Sequence, residues 1–399
     1  MTKKAHPEFG RRVFVGMSGG VDSSVAALLL KRRGYDVIGV FMRCYNLDGC
    51  AERDAEDARR VAEKIKIPFY VWDFEEEYKK RVVEYMIDGY RKGITPNPDV
   101  MCNREIKFGL FLERALEMGA DYVATGHYVV KRETYNVKHG GKKVSRFTLH
   151  VSRDANKDQS YFLWTLTQKQ LTHCLFPIGD YLKPRVREIA RRAGLPTAEK
   201  KDSQGICFLG MVSMDEFLEK YIPRRRGDVL DVKGRKIGEH VGAHFYTIGQ
   251  RRGIGNIKHQ KGNRTHVPVY VVRKNIRKNT VTVAEGAEDP ELYRKVSNLI
   301  DVNLISPAYL LADRHKEKKG GGAPEQHTNI LKNVGIKYNN IDVLARVRYR
   351  QPLTAALLKI GKNNKATLLF RKPQRFIAEG QSAVFYNQSG EVLGGGIIA

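Results

Sequence analysis

Apolar positions follow two alternating rhythms through the first two hundred residues. Short, nearly continuous apolar runs at residues 13–15, 37–42, 69–73 and 122–125 predict strands buried on both faces. Between them, residues 25–30, 54–65 and 103–118 place apolar side chains at helical spacing. Strands that alternate with helices imply a parallel sheet covered by helices, with ligands bound beyond the carboxyl ends of its strands. After residues 217–223 the texture changes. Short β-like runs at 228–231, 236–238 and 269–272, separated by Gly and Asn turns, predict a small β domain. Runs at 343–349, 354–360, 366–370 and 382–386 then recur at the spacing of a barrel. The expected fold is therefore α/β, in three parts: a parallel-sheet catalytic domain over 1–215, a central β domain over 216–290 and a C-terminal β-barrel over 291–399. The Lys/Gly-rich stretch 314–322 reads as a surface loop within the last part, and no internal repeat is evident.

Charge narrows the class of partner. Seventy Lys and Arg face 44 acidic residues in a chain of 399, a formal charge of +26, which suits a polyanion such as nucleic acid. No apolar run is long enough to span a membrane, and residues 1–10 lack the apolar stretch of a signal peptide, so a cytoplasmic protein is expected. The five cysteines, Cys44, Cys50, Cys102, Cys174 and Cys207, form no CxxC pair, which argues for thiols over a disulfide framework. It also leaves a zinc site at Cys44 and Cys50 without a matching pair.

The turn Gly16-Met17-Ser18-Gly19-Gly20-Val21-Asp22-Ser23 lies between a predicted strand and a predicted helix. Its glycines let backbone N–H groups approach an anion, Ser18 and Ser23 add hydroxyl donors, and the following helix directs its positive end at the same point. No GxxxxGK[ST] sequence occurs, so this is not a Walker A loop. The spacing SGGxDS instead resembles the PP-loop ATP pyrophosphatases, which cleave ATP between its α and β phosphates.

Two cysteine motifs, Asn97-Pro98-Asp99-Val100-Met101-Cys102-Asn103 and Asp202-Ser203-Gln204-Gly205-Ile206-Cys207-Phe208, extend that likeness. With Thr125-Gly126-His127-Tyr128, Lys157-Asp158-Gln159-Ser160, Arg348-Tyr349-Arg350-Gln351 and Gly380-Gln381-Ser382, they give a chain that closely resembles the tRNA 2-thiouridylases over nearly its whole length. The resemblance implies ATP-dependent replacement of oxygen 2 of the wobble uridine by sulfur. It implies ATP contacts from the loop 16–23, Met42 and Gly126, and target-base contacts from Asn97, Pro98 and Asp99. Cys207 would carry the sulfur as a persulfide, Cys102 would act as the second thiol, and Asp99 as general acid or base. His127, Lys157, Asp158, Gln159, Arg348, Tyr349 and Gln381 would touch the tRNA, with Asp22 a magnesium contact. The implied partners are glutamate, lysine and glutamine tRNAs and a desulfurase or sulfur-relay protein.

Physical reading of the residues supports two of these roles. Cys102 precedes the helix predicted from Asn103, where partial positive charge lowers a thiol pKa. The clusters 185–187, 191–192, 224–226 and 251–252 supply basic side chains for phosphates. Whether Cys102 displaces hydrosulfide or supports direct persulfide attack stays open, as does an iron–sulfur cluster on Cys102, Cys207 and Asp99. A PP-loop synthetase of a small metabolite and a tRNA-binding protein without catalysis are the competing classes.

Overall fold

A computed structural model describes residues 9–44, 49–139, 142–202, 212–254, 256–257, 267–305 and 340–399. Five parallel strands form the first sheet, in the order Phe69–Asp73, Asp36–Arg43, Arg12–Gly16, Tyr122–Ala124, Cys174–Leu175. Alternation along Arg12–Gly16 sends Val13 and Val15 into a core shared with the helices Val21–Arg32, Cys50–Ile65 and Lys183–Arg192. Phe14 points the other way, into a core with Trp72, Met86 and Phe111. Both faces of this central strand are thus buried, which is why it reads as a continuous apolar run, whereas the edge strand Phe69–Asp73, also expected to be buried on both faces, leaves Tyr70 and Val71 exposed because no strand among the described residues lies beyond it. The chain moves outward from Arg12–Gly16 and then returns on its other side, so the strand order reverses between Arg12–Gly16 and Tyr122–Ala124. That reversal opens a crevice at the strand ends, the usual ligand position in such sheets.

The expected helix from residue 103 begins five residues earlier. Asn97 accepts a 3.2 Å hydrogen bond from the Val100 N–H as N-cap, and Pro98 occupies the first turn, where its missing N–H costs nothing. The segment then runs through a π-helical stretch, Cys102–Leu110, into Phe111–Glu117. Likewise the first helix starts at Val21, directly at the glycine loop, rather than near residue 25.

The central domain is a five-stranded sheet spanning Gly227–Leu230 to Thr280–Glu285, and the C-terminal part is a closed barrel of six antiparallel strands. Two barrel strands, Tyr293–Leu304 and Val392–Ile398, were not marked by the apolar pattern, nor was the hairpin of Val130–His139 with Lys142–His150. The barrel is fastened to the first domain by a buried ion pair, Arg346 Nη2 to Asp158 Oδ2 at 2.6 Å, and by the Tyr161 hydroxyl donating to the Ser382 carbonyl at 2.8 Å. The loop 314–322 and residues 258–266 lie outside the described residues.

Candidate active site

The glycine loop folds back on itself at the mouth of the crevice. The Ser18 N–H donates to Ser23 Oγ at 3.1 Å, and Ser24 Oγ donates to the Gly20 carbonyl at 2.7 Å. Gly19 has φ +69, and a Cβ there would sit 2.3 Å from the Asp54 carbonyl oxygen, so only glycine fits. Gly20 is the N-cap of Val21–Arg32 and provides no side-chain cap, which leaves the first turn of the helix to an anion. Gly126 packs on the same turn, its Cβ position 2.6 Å from the Ser23 nitrogen, and Met42 Cε lies 2.9 Å from that of Gly16. The fold therefore gathers Gly16 to Ser23, Met42 and Gly126 at one place.

Beside them lies a charge network that the sequence did not announce. Lys183, buried at the start of Lys183–Arg192, places Nζ 2.8 Å from both Asp22 oxygens and 2.8 Å from Asp202 Oδ1. The Tyr128 hydroxyl donates to Asp22 Oδ1 at 2.8 Å. Asp202 also takes Lys157 Nζ at 2.5 Å and Arg187 Nη2 at 2.7 Å. Burial opposes ionisation of Asp202, but the bonds from Lys157 and Lys183 prevail and hold its pKa at about 2. Lys183 follows a strand of two residues, too short to carry a periodic signal, so its place at a strand end was not legible.

No group of three or more His, Cys, Asp or Glu among the described residues could hold a metal. At the loop the one carboxylate is Asp22, which suits magnesium brought in on ATP phosphates better than a protein-built cage. Its present partners are Lys183 and the Tyr128 hydroxyl, so a metal contact there requires the ion pair to loosen.

The Cys102 helix faces the same region. Cys102 is buried one turn inside the helix, not ahead of it, and its N–H is bonded to the Asp99 and Pro98 carbonyls. Cys102 thus lies beyond the four free N–H groups of the helix start, not at the position ahead of the helix expected from the sequence. Asp99 is half-buried. Burial pushes its carboxyl above the ordinary carboxylate range, against the opposing pull of Lys107. Asn103 is also buried and donates to the Phe162 carbonyl at 3.3 Å, while its Oδ1 has no hydrogen-bond partner among the described residues. Cys207, with residues 203–211, lies outside the described residues. Cys174 is fully buried in its strand and burial pushes its thiol to about 12, as expected of a core residue.

Thr125 to Tyr128 link the two halves of the site. Tyr128 reaches Asp22, and His127 packs its ring against Phe108 of the cysteine helix at 5.9 Å. His127 is buried, bonded through Nδ1 to Thr125 Oγ1 at 2.8 Å, and its pKa is pushed down by burial and by Lys107. It does not lie on an exposed surface, and neither does Asp158, whose oxygens take Arg346, Ser160 and the Ser152 N–H. Gln159 bonds the Tyr128 N–H at 2.9 Å, and Gln381 Nε2 donates to the Thr95 carbonyl at 2.9 Å. Arg348 donates to the Ile248 carbonyl, and the Tyr349 ring packs at a tilt against that of Phe162, with centroids 4.5 Å apart. Of the basic clusters, Arg185, Arg187, Arg191, Arg192 and Arg224 are paired with acids, while Arg225, Arg226, Arg251 and Arg252 are exposed.

Three family models match in succession: a tRNA methyl transferase HUP domain over residues 11–211, a tRNA methyl transferase PRC-barrel domain over 215–285 and an aminomethyltransferase β-barrel domain over 327–398. The tRNA-specific 2-thiouridylase MnmA of Streptococcus thermophilus (strain CNRZ 1066) is 45% identical over 393 residues, 97% of this chain and 95% of that protein. The tRNA-specific 2-thiouridylase MnmA of Streptococcus pyogenes serotype M1 is 46% identical over 395 residues, with the same coverage. Among solved structures, a 4-thiouridine synthetase in complex with RNA and ATP is 18% identical with a TM-score of 0.32, over 53% of this chain and 50% of that one. This last likeness is too distant to bear on function.

Proposed function

Because the chain belongs to the tRNA-specific 2-thiouridylase MnmA family, we propose that it exchanges oxygen 2 of uridine 34 in tRNA anticodons for sulfur, consuming ATP. The observation that carries this reading is the span of Thr125 to Tyr128, which touches both the anion-binding loop and the Cys102 helix. The loop's backbone N–H groups would hold the ATP phosphates, and Asp22, once released from Lys183, would hold a magnesium ion that offsets the phosphate charge. The uridine leaves its stack and enters between Asn97, Asp99 and Cys102. Its O2 attacks the α phosphorus, pyrophosphate departs, and C2 now bears a leaving group that exits as AMP. Asp99, whose carboxyl burial pushes above the ordinary carboxylate range, stands where it can exchange a proton with the base during these steps.

Sulfur comes from a persulfide on Cys207. By one route Cys102 thiolate attacks the Cys207 sulfur, releases hydrosulfide and forms a Cys102–Cys207 disulfide, and hydrosulfide then displaces AMP. By the other the terminal persulfide sulfur attacks C2 first, AMP leaves, and Cys102 cleaves the resulting S–S bond, giving the same disulfide. Both end with a disulfide that an external dithiol must reduce. An iron–sulfur cluster in place of the persulfide would need Cys207 beside Cys102 and Asp99.

Glutamate, lysine and glutamine tRNAs are the proposed substrates and a desulfurase or sulfur-relay protein the donor, in the cytoplasm. No helix among the described residues is long and apolar enough to cross a membrane. The proposed division at 215/216 and 290/291 keeps the parallel sheet, the five-stranded sheet and the closed barrel each within one part. Pyrophosphate release tests the class. Release that needs tRNA with an unmodified uridine 34 supports the proposal, whereas equal release without tRNA would point to a small-metabolite synthetase.

A further inference from the structure

Between the helices Glu84–Arg91 and Pro98–Met101 runs a short irregular segment that ends on Asn97, the first of the expected target-base contacts. Buried backbone outside regular structure must find its hydrogen-bond partners elsewhere. Residues 95 and 96 find theirs in the barrel. The Thr95 N–H donates to the Glu379 carbonyl at 2.7 Å, while Gln381 Nε2 donates to the Thr95 carbonyl at 2.9 Å and to the Pro96 carbonyl at 3.4 Å. The Tyr161 hydroxyl, which donates to the Ser382 carbonyl at 2.8 Å, also bonds the Asn97 side chain. Residues 379–382 thus meet residues 95–97 almost one for one. The cradle is itself fixed, since the Gly380 N–H donates to the Ile398 carbonyl and the Ile398 N–H to the Gln381 carbonyl, both at 2.8 Å.

The central domain grips the same segment. Thr95 Oγ1 donates to Thr247 Oγ1 at 3.2 Å, and Thr247 also bonds the Tyr90 hydroxyl in the preceding helix. Thr247 is locked in turn by Gln250: the Thr247 N–H donates to Gln250 Oε1 at 3.1 Å and the Gln250 N–H to the Thr247 carbonyl at 2.9 Å. A Cβ on Gly93, which has φ +81, would lie 2.3 Å from Ile276 Cγ1, so the central domain packs directly on the start of the segment. The first domain supplies a backbone partner for residue 94, whose N–H donates to the Gly89 carbonyl at 3.0 Å, but among the described residues none for 95 or 96.

We propose that Gln381 of the barrel and Thr247 of the central domain are positioning residues, which set where Asn97 and Asp99 stand for the target base. The resemblance made Gln381 a tRNA contact and named no role for Thr247. Here the Gln381 amide N–H group is committed to the backbone that leads into the base site, and without it two buried carbonyls lose their donor. A misplacement of about 1 Å at a reaction site can cost about 10²-fold in rate. The loop 16–23 makes none of these contacts, so ATP affinity is indifferent to both residues. The inference rests on the thiolation reading.

The test uses the full chain with Gln381→Met, which keeps the length of the side chain but cannot donate, with Thr247→Val, which removes the hydroxyl, and with Thr247→Ser, which retains it. Formation of 2-thiouridine is followed at saturating ATP and tRNA, tRNA affinity by filter binding, and backbone amide exchange by mass spectrometry of the peptide covering 94–97. We expect kcat to fall about tenfold in Gln381→Met and Thr247→Val with tRNA and ATP affinity kept within about twofold, and Thr247→Ser to match wild type. Exchange should quicken in that peptide and stay unchanged in the strand Arg12–Gly16. Weaker tRNA binding by Gln381→Met with kcat intact at saturation would make Gln381 a tRNA contact and overturn the proposal. Quickened exchange throughout the chain would make both residues general stabilisers, and unchanged kcat and exchange would leave the segment held by other means; either result overturns it. If wild type forms no 2-thiouridine, the thiolation reading fails, and the exchange of residues 94–97 still decides whether Gln381 and Thr247 hold the segment.

Discussion

At the scale of single residues, the account turns on groups whose charge is set by their surroundings. Asp99 has a raised folded pKa, so the folded state binds more protons than the unfolded chain at intermediate pH, and this group's contribution to stability falls as pH rises. Asp99→Asn removes that penalty. Its melting temperature should exceed that of wild type at pH 7, with the gain shrinking toward acid pH, while thiolation drops by about 10²-fold or more. A lower melting temperature at pH 7 would contradict the buried-acid assignment. Lys183→Met should leave Asp22 and Asp202 facing one another without their shared cation. We expect ATP-dependent pyrophosphate release to fall by about 10²-fold with tRNA affinity kept within about twofold, as measured by release kinetics and filter binding. The loop residues were legible because their chemistry is written in eight consecutive positions. Lys183 was not, and Tyr128 and Asp202 appeared only as members of motifs without their pairing, because Asp22 and Lys183 are 161 residues apart and meet only through the fold.

Among elements, the pattern located those written as a short, unbroken run of apolar and β-favouring residues. The strands Phe69–Asp73, Thr354–Ile360 and Ser382–Tyr386 lie where their apolar runs placed them. The Cys102 helix started early because Asn97 and Pro98 look like loop residues, although together they make a capped first turn. The hairpin Val130–His139 and Lys142–His150 escaped notice because its polar and charged residues leave no continuous apolar run. The barrel also supports the segment just before Asn97. The Thr95 N–H donates to the Glu379 carbonyl at 2.7 Å, and a Cβ on Gly380, which has φ +87, would lie 2.8 Å from the Thr95 carbonyl carbon. Gly380→Ala should therefore displace residues 95–97, lowering kcat for thiolation by about 10-fold or more with KM for ATP little changed. Steady-state kinetics check this, and an unchanged kcat would show that the barrel does not position that segment.

Over the whole molecule, the three folded parts are joined by polar contacts: Arg346–Asp158 between barrel and first domain, Thr95–Thr247 between first and central domains, and Arg348–Ile248 between barrel and central domain. The Arg346–Asp158 pair is nearly inaccessible at both ends, and removing one partner of such a pair typically costs about 3–5 kcal/mol. Asp158→Ala should lower the denaturation midpoint accordingly in an equilibrium unfolding experiment. The formal charge of +26 predicts tRNA affinity that falls log-linearly with salt, losing about tenfold or more between 50 and 200 mM. A flat salt response would remove the phosphate contribution from binding. Three-part organisation was legible from the change of texture along the chain, but the joints between parts were not, since each unites residues distant in sequence. The most direct measurement is to incubate the purified protein with ATP, magnesium, a persulfide donor and unmodified glutamate tRNA, then digest the RNA for mass spectrometry. The account predicts 2-thiouridine at position 34 only when ATP is present. Its absence under anaerobic conditions, with and without cluster reconstitution, would contradict the assignment.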